Sequence, residues 1–222
     1  MRIGRAQSVA LVVAIVGALA KPFPAWAHPH VFVDGHAEIV FDAEKRMSAV
    51  RNVWLFDEAY SAFASTGLDK NGDGKLSRQE LAPLAKLNVD SLKDYAYFTD
   101  LSIGKTHLAF KLPTDYFLTA DKGRLTLNFT LPLAKPAAVT SKTVLEIFDP
   151  EYFVAFTFPE HGAIKLADAP AGCSAAFQPP HVLDAAIMAK LAAVPVEQHD
   201  LPPALQDAAV GLANLFTVEC PG

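Results

Sequence analysis

The sequence predicts an α+β fold: an antiparallel β-sheet or sandwich with a helix–loop–helix inserted into it. Residues 30–41 alternate apolar and polar side chains, the period of a half-buried strand. Short β-branched and aromatic runs return at 101–112, 124–131, 143–148 and 152–158, each ended by Pro, Gly or Asp. Between these two stretches, residues 57–97 change to a helical pattern interrupted by a polar, glycine-bearing loop.

Residues 1–27 read as a secretory signal peptide. Arg2 and Arg5 precede an uncharged run from Val9 to Ala20, and Ala25-Trp26-Ala27 puts small residues at both key cleavage positions. The run is shorter than the roughly 20 residues of a membrane span, and Lys21 and two prolines follow it. The expectation is a periplasmic, exported protein with no stable membrane insertion after cleavage. Losing three leader cations and no acid takes the formal charge from −5 to about −8. Such an acidic chain opposes nucleic-acid binding, which rests on phosphate neutralisation by Lys and Arg.

The first strand carries Val31, Val33, Ala37, Ile39 and Phe41 on one face. Residues 42–45 supply a turn into a partner strand from Met47 to Phe56. In the insert, Tyr60, Phe63 and Gly67 share a helical face before the loop. After it, Ser77 and Glu80 form a capping box that opens an exit helix. Pro83 lies inside that helix, where a lost hydrogen bond predicts a kink or break, and a second helix is expected around 90–97. The chain from 28 to 167 is thus a β-rich domain with its helical insert at 57–97.

Residues 168–222 form a Pro/Ala-rich tail, with short helices expected over 182–192 and 204–216. The only cysteines are Cys173 and Cys220. In an oxidising compartment they most simply form one disulfide that ties this tail back, with two free thiols or a shared metal site as the alternatives.

The inserted loop, Asp69-Lys-Asn-Gly-Asp-Gly-Lys-Leu-Ser-Arg-Gln-Glu80, meets each constrained position of an EF-hand calcium loop. Asp69, Asn71 and Asp73 offer side-chain oxygens, Gly74 allows the sharp turn, Lys75 offers its backbone carbonyl and Glu80 offers two oxygens. Calcium, a hard cation taking six to eight oxygens, is the predicted ligand.

Cleavage after Ala27 would make His28 the first residue, followed by Pro29 and His30. The α-amine and imidazoles suit a transition metal, nickel, cobalt, zinc or copper, better than calcium. Pro29 has no N–H and blocks amide-nitrogen chelation. Asp34, His36 and Glu38 follow at intervals of two on the strand's polar face and could add ligands; the alternative is a plain solvated strand face. The sequence contains no Gly-x-Ser-x-Gly elbow, phosphate-binding glycine loop or His-Glu-x-x-His, and a non-enzymatic protein is predicted.

His28-Pro-His-Val-Phe-Val-Asp34, Trp54-Leu-Phe-Asp57, the calcium-like loop, Tyr97-Phe-Thr99 and Phe148-Asp-Pro-Glu-Tyr-Phe153 occur in order. Together they resemble the domain-of-unknown-function 1007 family, bacterial exported proteins often described as periplasmic components of an ABC-type transport system. The resemblance runs from His28 to about Cys173. It implies a companion of a nickel, cobalt or zinc transporter in the inner membrane.

Three readings stay open. One is an accessory or metal-binding component holding a transition metal at His28 and His30, with Asp34 or His36 as a further ligand, while calcium rigidifies the insert. Another is a calcium-stabilised structural or interaction module with no transition-metal role. A third, a copper enzyme using a histidine brace, lacks a recognisable third ligand.

Overall fold

In the computed structural model, residues 29–113, 115–140, 142–195, 198 and 201–221 are described. The proposed signal peptide, His28 and His199 lie outside them.

Strands β1 (Val31–Phe41) and β2 (Met47–Phe56) form the expected hairpin, with Gly35 opposite Trp54 and Ile39 opposite Val50. Asp42 closes its turn by accepting the Arg46 N–H at 2.9 Å and the Arg46 guanidinium at 2.8 Å. Helices α1 (Glu58–Ala64) and α2 (Arg78–Leu92) follow, with a 3-10 turn over Lys93–Phe98. Next come β3 (Thr99–Ile103), β4 (Thr106–His107), β5 (Tyr116–Asp121), β6 (Arg124–Ala137) and β7 (Thr143–Ile147). The chain ends with β8 (Val154–Thr157), β9 (Ile164–Ala167), β10 (Ser174–Gln178), α3 (Ala185–Ala192), α4 (Pro203–Val210) and β11 (Asn214–Glu219).

Two antiparallel-rich sheets result. The first runs β5-β6-β2-β1-β8, with β9 also on β1; the second runs β10-β11-β7-β3-β4. Their inner faces share one core, in which Trp54 meets Phe129, Phe156 and Phe98, and Phe158 meets Phe216. Two buried asparagines tie the sheets together across this apolar layer. Asn52 of β2 donates to Thr99 Oγ1 at 3.3 Å, and Asn214 of β11 donates to the Ile147 and Phe156 carbonyls at 3.2 and 3.3 Å. Such buried polar groups need partners, and these partners come from both sheets.

Several elements depart from the sequence-based expectation. β1 pairs in parallel with β8 over its first half and with β9 over its second. The chain enters β8 from β7, which lies in the other sheet, so a crossover rather than a hairpin sets its direction. The run at 101–112 is divided by a turn at Gly104 into the β3–β4 hairpin. Helix α2 runs unbroken through Pro83: the capping box holds its first turn, and Leu81, Ala85 and Val89 are buried on either side of the proline. Residues 93–98 form a tight turn instead of a second helix, with Ala96, Tyr97 and Phe98 all at positive φ. Phe63 is 81% exposed, and α1 buries Ser61 in its place.

The tail supplies two strands of the second sheet. β11 inserts between β10 and β7, and Phe216 and Val218 are fully buried. The Cys173–Cys220 disulfide closes the end of the β10–β11 pair where Ser174 faces Glu219. Closing a loop of this length, a sequence separation of 47, contributes about 4 kcal/mol in the chain-entropy account. Helices α3 and α4 bury Leu191, Leu205 and Ala209 around Tyr152 in a small second core. None of the helices among the described residues is long and apolar enough to cross a membrane.

Candidate metal centre and the polar face of strand β1

The loop between α1 and α2 is organised by its own side chains. Asp69 Oδ1 accepts the Gly72 N–H at 2.7 Å and Oδ2 accepts the Gly74 N–H at 2.9 Å. Asn71 accepts the Asp73 N–H at 2.9 Å, and Asp73 accepts the Lys75 N–H at 2.8 Å. Oxygen-bearing side chains at alternate positions therefore hold the following backbone. Gly72 and Gly74 sit at φ of 73° and 77°, a conformation that suits glycine and turns the chain back toward Asp69.

Glu80 connects the two ends. Its Oε1 accepts the Lys70 N–H at 2.9 Å, while Oε2 accepts the Ser77 N–H at 2.9 Å and the Ser77 hydroxyl at 2.7 Å. Ser77 completes the capping box by accepting the Glu80 N–H. Because these donors all favour the ionised form, first those of Ser77 and then Lys70, the Glu80 carboxyl is lowered to about 2.

The donor set offers only oxygen, the chemistry of a hard cation. Among the described residues, no group of three or more His, Cys, Asp or Glu is gathered closely enough to hold a metal ion. The loop carboxylates are turned instead toward the loop's N–H groups.

The flanking helices are fixed to the sheets independently of the loop. Asp57 caps α1 through the Tyr60 N–H at 2.8 Å, and Ser61 accepts the Leu125 N–H of β6 at 3.0 Å. Tyr60 donates to Asn88 of α2 at 3.0 Å. Arg78, at the start of α2, lies 3.7 Å above the Phe117 ring of β5.

At the start of β1, His30 donates its backbone N–H to Phe153 at 2.9 Å, and its ring lies 4.7 Å from the Phe153 ring. The Phe148–Phe153 block therefore forms the wall against which this end of the chain rests. Within that block, buried Asp149 accepts the Glu151 and Val154 N–H groups at 2.9 and 2.8 Å.

The polar face of β1 appears where the alternation places it, but its side chains have protein partners. Asp34 pairs with Arg124 at 2.8 Å, Glu38 pairs with Arg51, and His36 Nδ1 lies 3.3 Å from the Gly162 carbonyl. These interactions do not bring Asp34 and His36 together with His30 as one ligand set. Arg51, Arg124 and Lys165 are the residues that sequence reasoning passed over. Their chemistry was visible, but the pairings that bring them to β1 come from β2, β6 and β9. Elsewhere, His107 lies 2.8 Å from Asp100, and the backbone N–H of His181 donates to Gly211 at 2.9 Å.

The family model for "Protein of unknown function (DUF1007)" matches residues 13–220. The chain belongs to this family. It is 33% identical over 98 residues to an "Uncharacterized 15.5 kDa protein in trpE 3'region" of Spirochaeta aurantia, covering 44% of this chain and 70% of that protein. It is also 25% identical over 161 residues to an uncharacterized protein of Haemophilus influenzae, covering 72% of this chain and 77% of the relative. The family match extends past Cys173 to take in the tail, further than the sequence blocks suggested.

Proposed function

We propose that this DUF1007 protein is an exported calcium-binding protein that acts by binding rather than by catalysis. Calcium would be held by Asp69, Asn71, Asp73, Glu80 and the Lys75 carbonyl. The observation carrying this reading is the alternating pattern in which Asp69, Asn71 and Asp73 accept the N–H groups of Gly72, Gly74, Asp73 and Lys75. That pattern supports a loop that carries oxygen donors at alternate positions, which calcium would draw together on binding. Calcium is plentiful outside the cytosol, so a lone loop of this type serves as a permanent brace for residues 57–97 rather than as a sensor.

The finer reading is a periplasmic accessory of a nickel, cobalt or zinc transport system, with His28 and His30 as the metal-binding end. Its support is the nitrogen-rich sequence at the proposed cleavage site. A second reading, a calcium-stabilised interaction module, is favoured by the partners already found for Asp34, His36 and Glu38.

Calorimetry on a chain beginning at His28 tests both layers. Calcium should bind with one-site stoichiometry, and Asp69→Ala should weaken it at least about tenfold. Equal affinity in the variant would remove the loop assignment. Nickel, zinc and copper titrations should then be compared with a chain carrying one residue before His28. Unchanged affinity would exclude the α-amine and favour the interaction module.

A further inference from the structure

On the outer face of the first sheet, β1, β2 and β9 border a concavity of about 360 Å³ lined by His36, Glu38, Arg51, Val53, Gly162 and Lys165. We propose that it binds a small divalent oxyanion, preferentially one bearing carboxylates.

Among the described residues, two fixed cations, Arg51 and Lys165, line the concavity against a single carboxylate, Glu38, in a chain of formal charge −5. A cationic hollow on an acidic protein concentrates anions locally, against the field of the rest of the surface.

The sheet register makes this arrangement definite. Glu38 stands directly opposite Arg51 on β2 and opposite Lys165 on β9, so both neighbouring strands deliver a cation to the same level of β1. One carboxylate cannot neutralise both. Glu38 engages Arg51 through Nη1, whereas a guanidinium has five N–H donors and a fork matched to carboxylates. The Arg51 side chain is 50% exposed, so solvent and ligand can reach it.

His36 borders the same space. In the tautomer with the proton on Nδ1, His36 donates to the Gly162 carbonyl at 3.3 Å, and Nε2 is the ring's other polar atom. The two cations that favour an oxyanion also disfavour a metal ion beside His36. This separates the hollow from the proposed calcium loop and from His28 and His30, and the inference is independent of both.

The test is an amide NMR titration of the chain beginning at His28, at low ionic strength, with succinate and with sulfate as its inorganic counterpart. Saturable shifts are expected at residues 36–38, 51–53 and 162–165. Arg51→Gln should weaken succinate binding about fivefold or more, the equivalent of about 1 kcal/mol. Glu38→Gln, which removes the competing acid, should strengthen it. Lys165→Gln repeats the first test from the opposite strand, and unchanged amide dispersion elsewhere verifies folding. Preference for succinate upholds the proposal, whereas comparable binding of both, or preference for sulfate, would overturn its carboxylate preference. Scattered, non-saturating shifts would overturn the proposal, as would equal affinities in the wild type, Arg51→Gln and Glu38→Gln.

Discussion

Glu80 reaches back ten residues to accept the Lys70 N–H at 2.9 Å, so one carboxylate fastens both the entrance of the loop and the start of α2. The same side chain therefore belongs to a helix cap and to the proposed calcium shell. These roles depend on one charge, which can be titrated.

The folded-state Glu80 carboxyl, lowered to about 2 from an ordinary 4.5, binds fewer protons than in the unfolded chain. Its contribution to stability is fully present above pH 4.5 and is lost as pH falls toward 2. Glu80→Gln should lower the thermal midpoint of the calcium-free protein near neutrality, and the difference should shrink between pH 4.5 and 2. A constant offset throughout that window would show that the carboxylate charge does not hold the loop. The side chain is solvent-exposed, so the neutral-pH offset should be small.

Gly35 provides a second test, this time in the core. It faces inward on β1, and an added Cβ would stand 2.6 Å from Phe158 Cζ and 2.7 Å from Cε1. Phe158 is itself packed against Phe177 and Phe216 and has little room to withdraw. Gly35→Ala should cost roughly 1–3 kcal/mol by overpacking. Combining it with Phe158→Leu should give a smaller loss than the sum of the two single changes. Strict additivity in denaturant unfolding would mean that the two side chains do not compete for the same space.

Local patterns in the chain revealed local structure. Strict alternation marked β1 and its buried face, and the Ser77–Glu80 spacing marked the start of α2. The oxygen-bearing side chains at 69, 71, 73 and 80 lie within one short segment, so their place between α1 and the first turn of α2 was also legible. The parallel pairing of β1 with β8 and β9 was not, because it depends on where the chain crosses between sheets. β11 was hidden for a related reason. Its Leu215-Phe216-Thr217 core continues an Ala-rich helical pattern, and only the empty place between β10 and β7 makes it a strand. Arg51, Arg124 and Lys165 are ordinary charged residues in sequence. Register alone turns them toward the polar face of β1, converting a metal-competent row into one with cationic partners.

Asp57 offers the most direct test of how the insert is anchored. Its Oδ1 accepts the Tyr60 N–H at 2.8 Å and caps α1, while its Oδ2 accepts the Phe32 N–H of β1 at 2.8 Å. The Asp57 N–H in turn donates to the Phe32 carbonyl at 2.9 Å. A carboxylate can serve both side-chain contacts because each oxygen accepts. Asn is an equally good helix cap, but it has one accepting oxygen, and its NH2 would face one of the two N–H donors. Asp57→Asn should therefore preserve the cap and lose the strand contact, or the reverse, replacing one charge-assisted hydrogen bond by opposed donors at a cost of about 1–3 kcal/mol. Asp57→Ala removes both contacts, and its cap loss alone is typically about 1 kcal/mol. If capping were the side chain's only role, Asp57→Asn would match wild type in urea unfolding and Asp57→Ala would lose about 1 kcal/mol. With both contacts in force, Asp57→Asn should fall well below wild type, and hydrogen exchange at Phe32 and Tyr60 should identify which N–H has lost its acceptor.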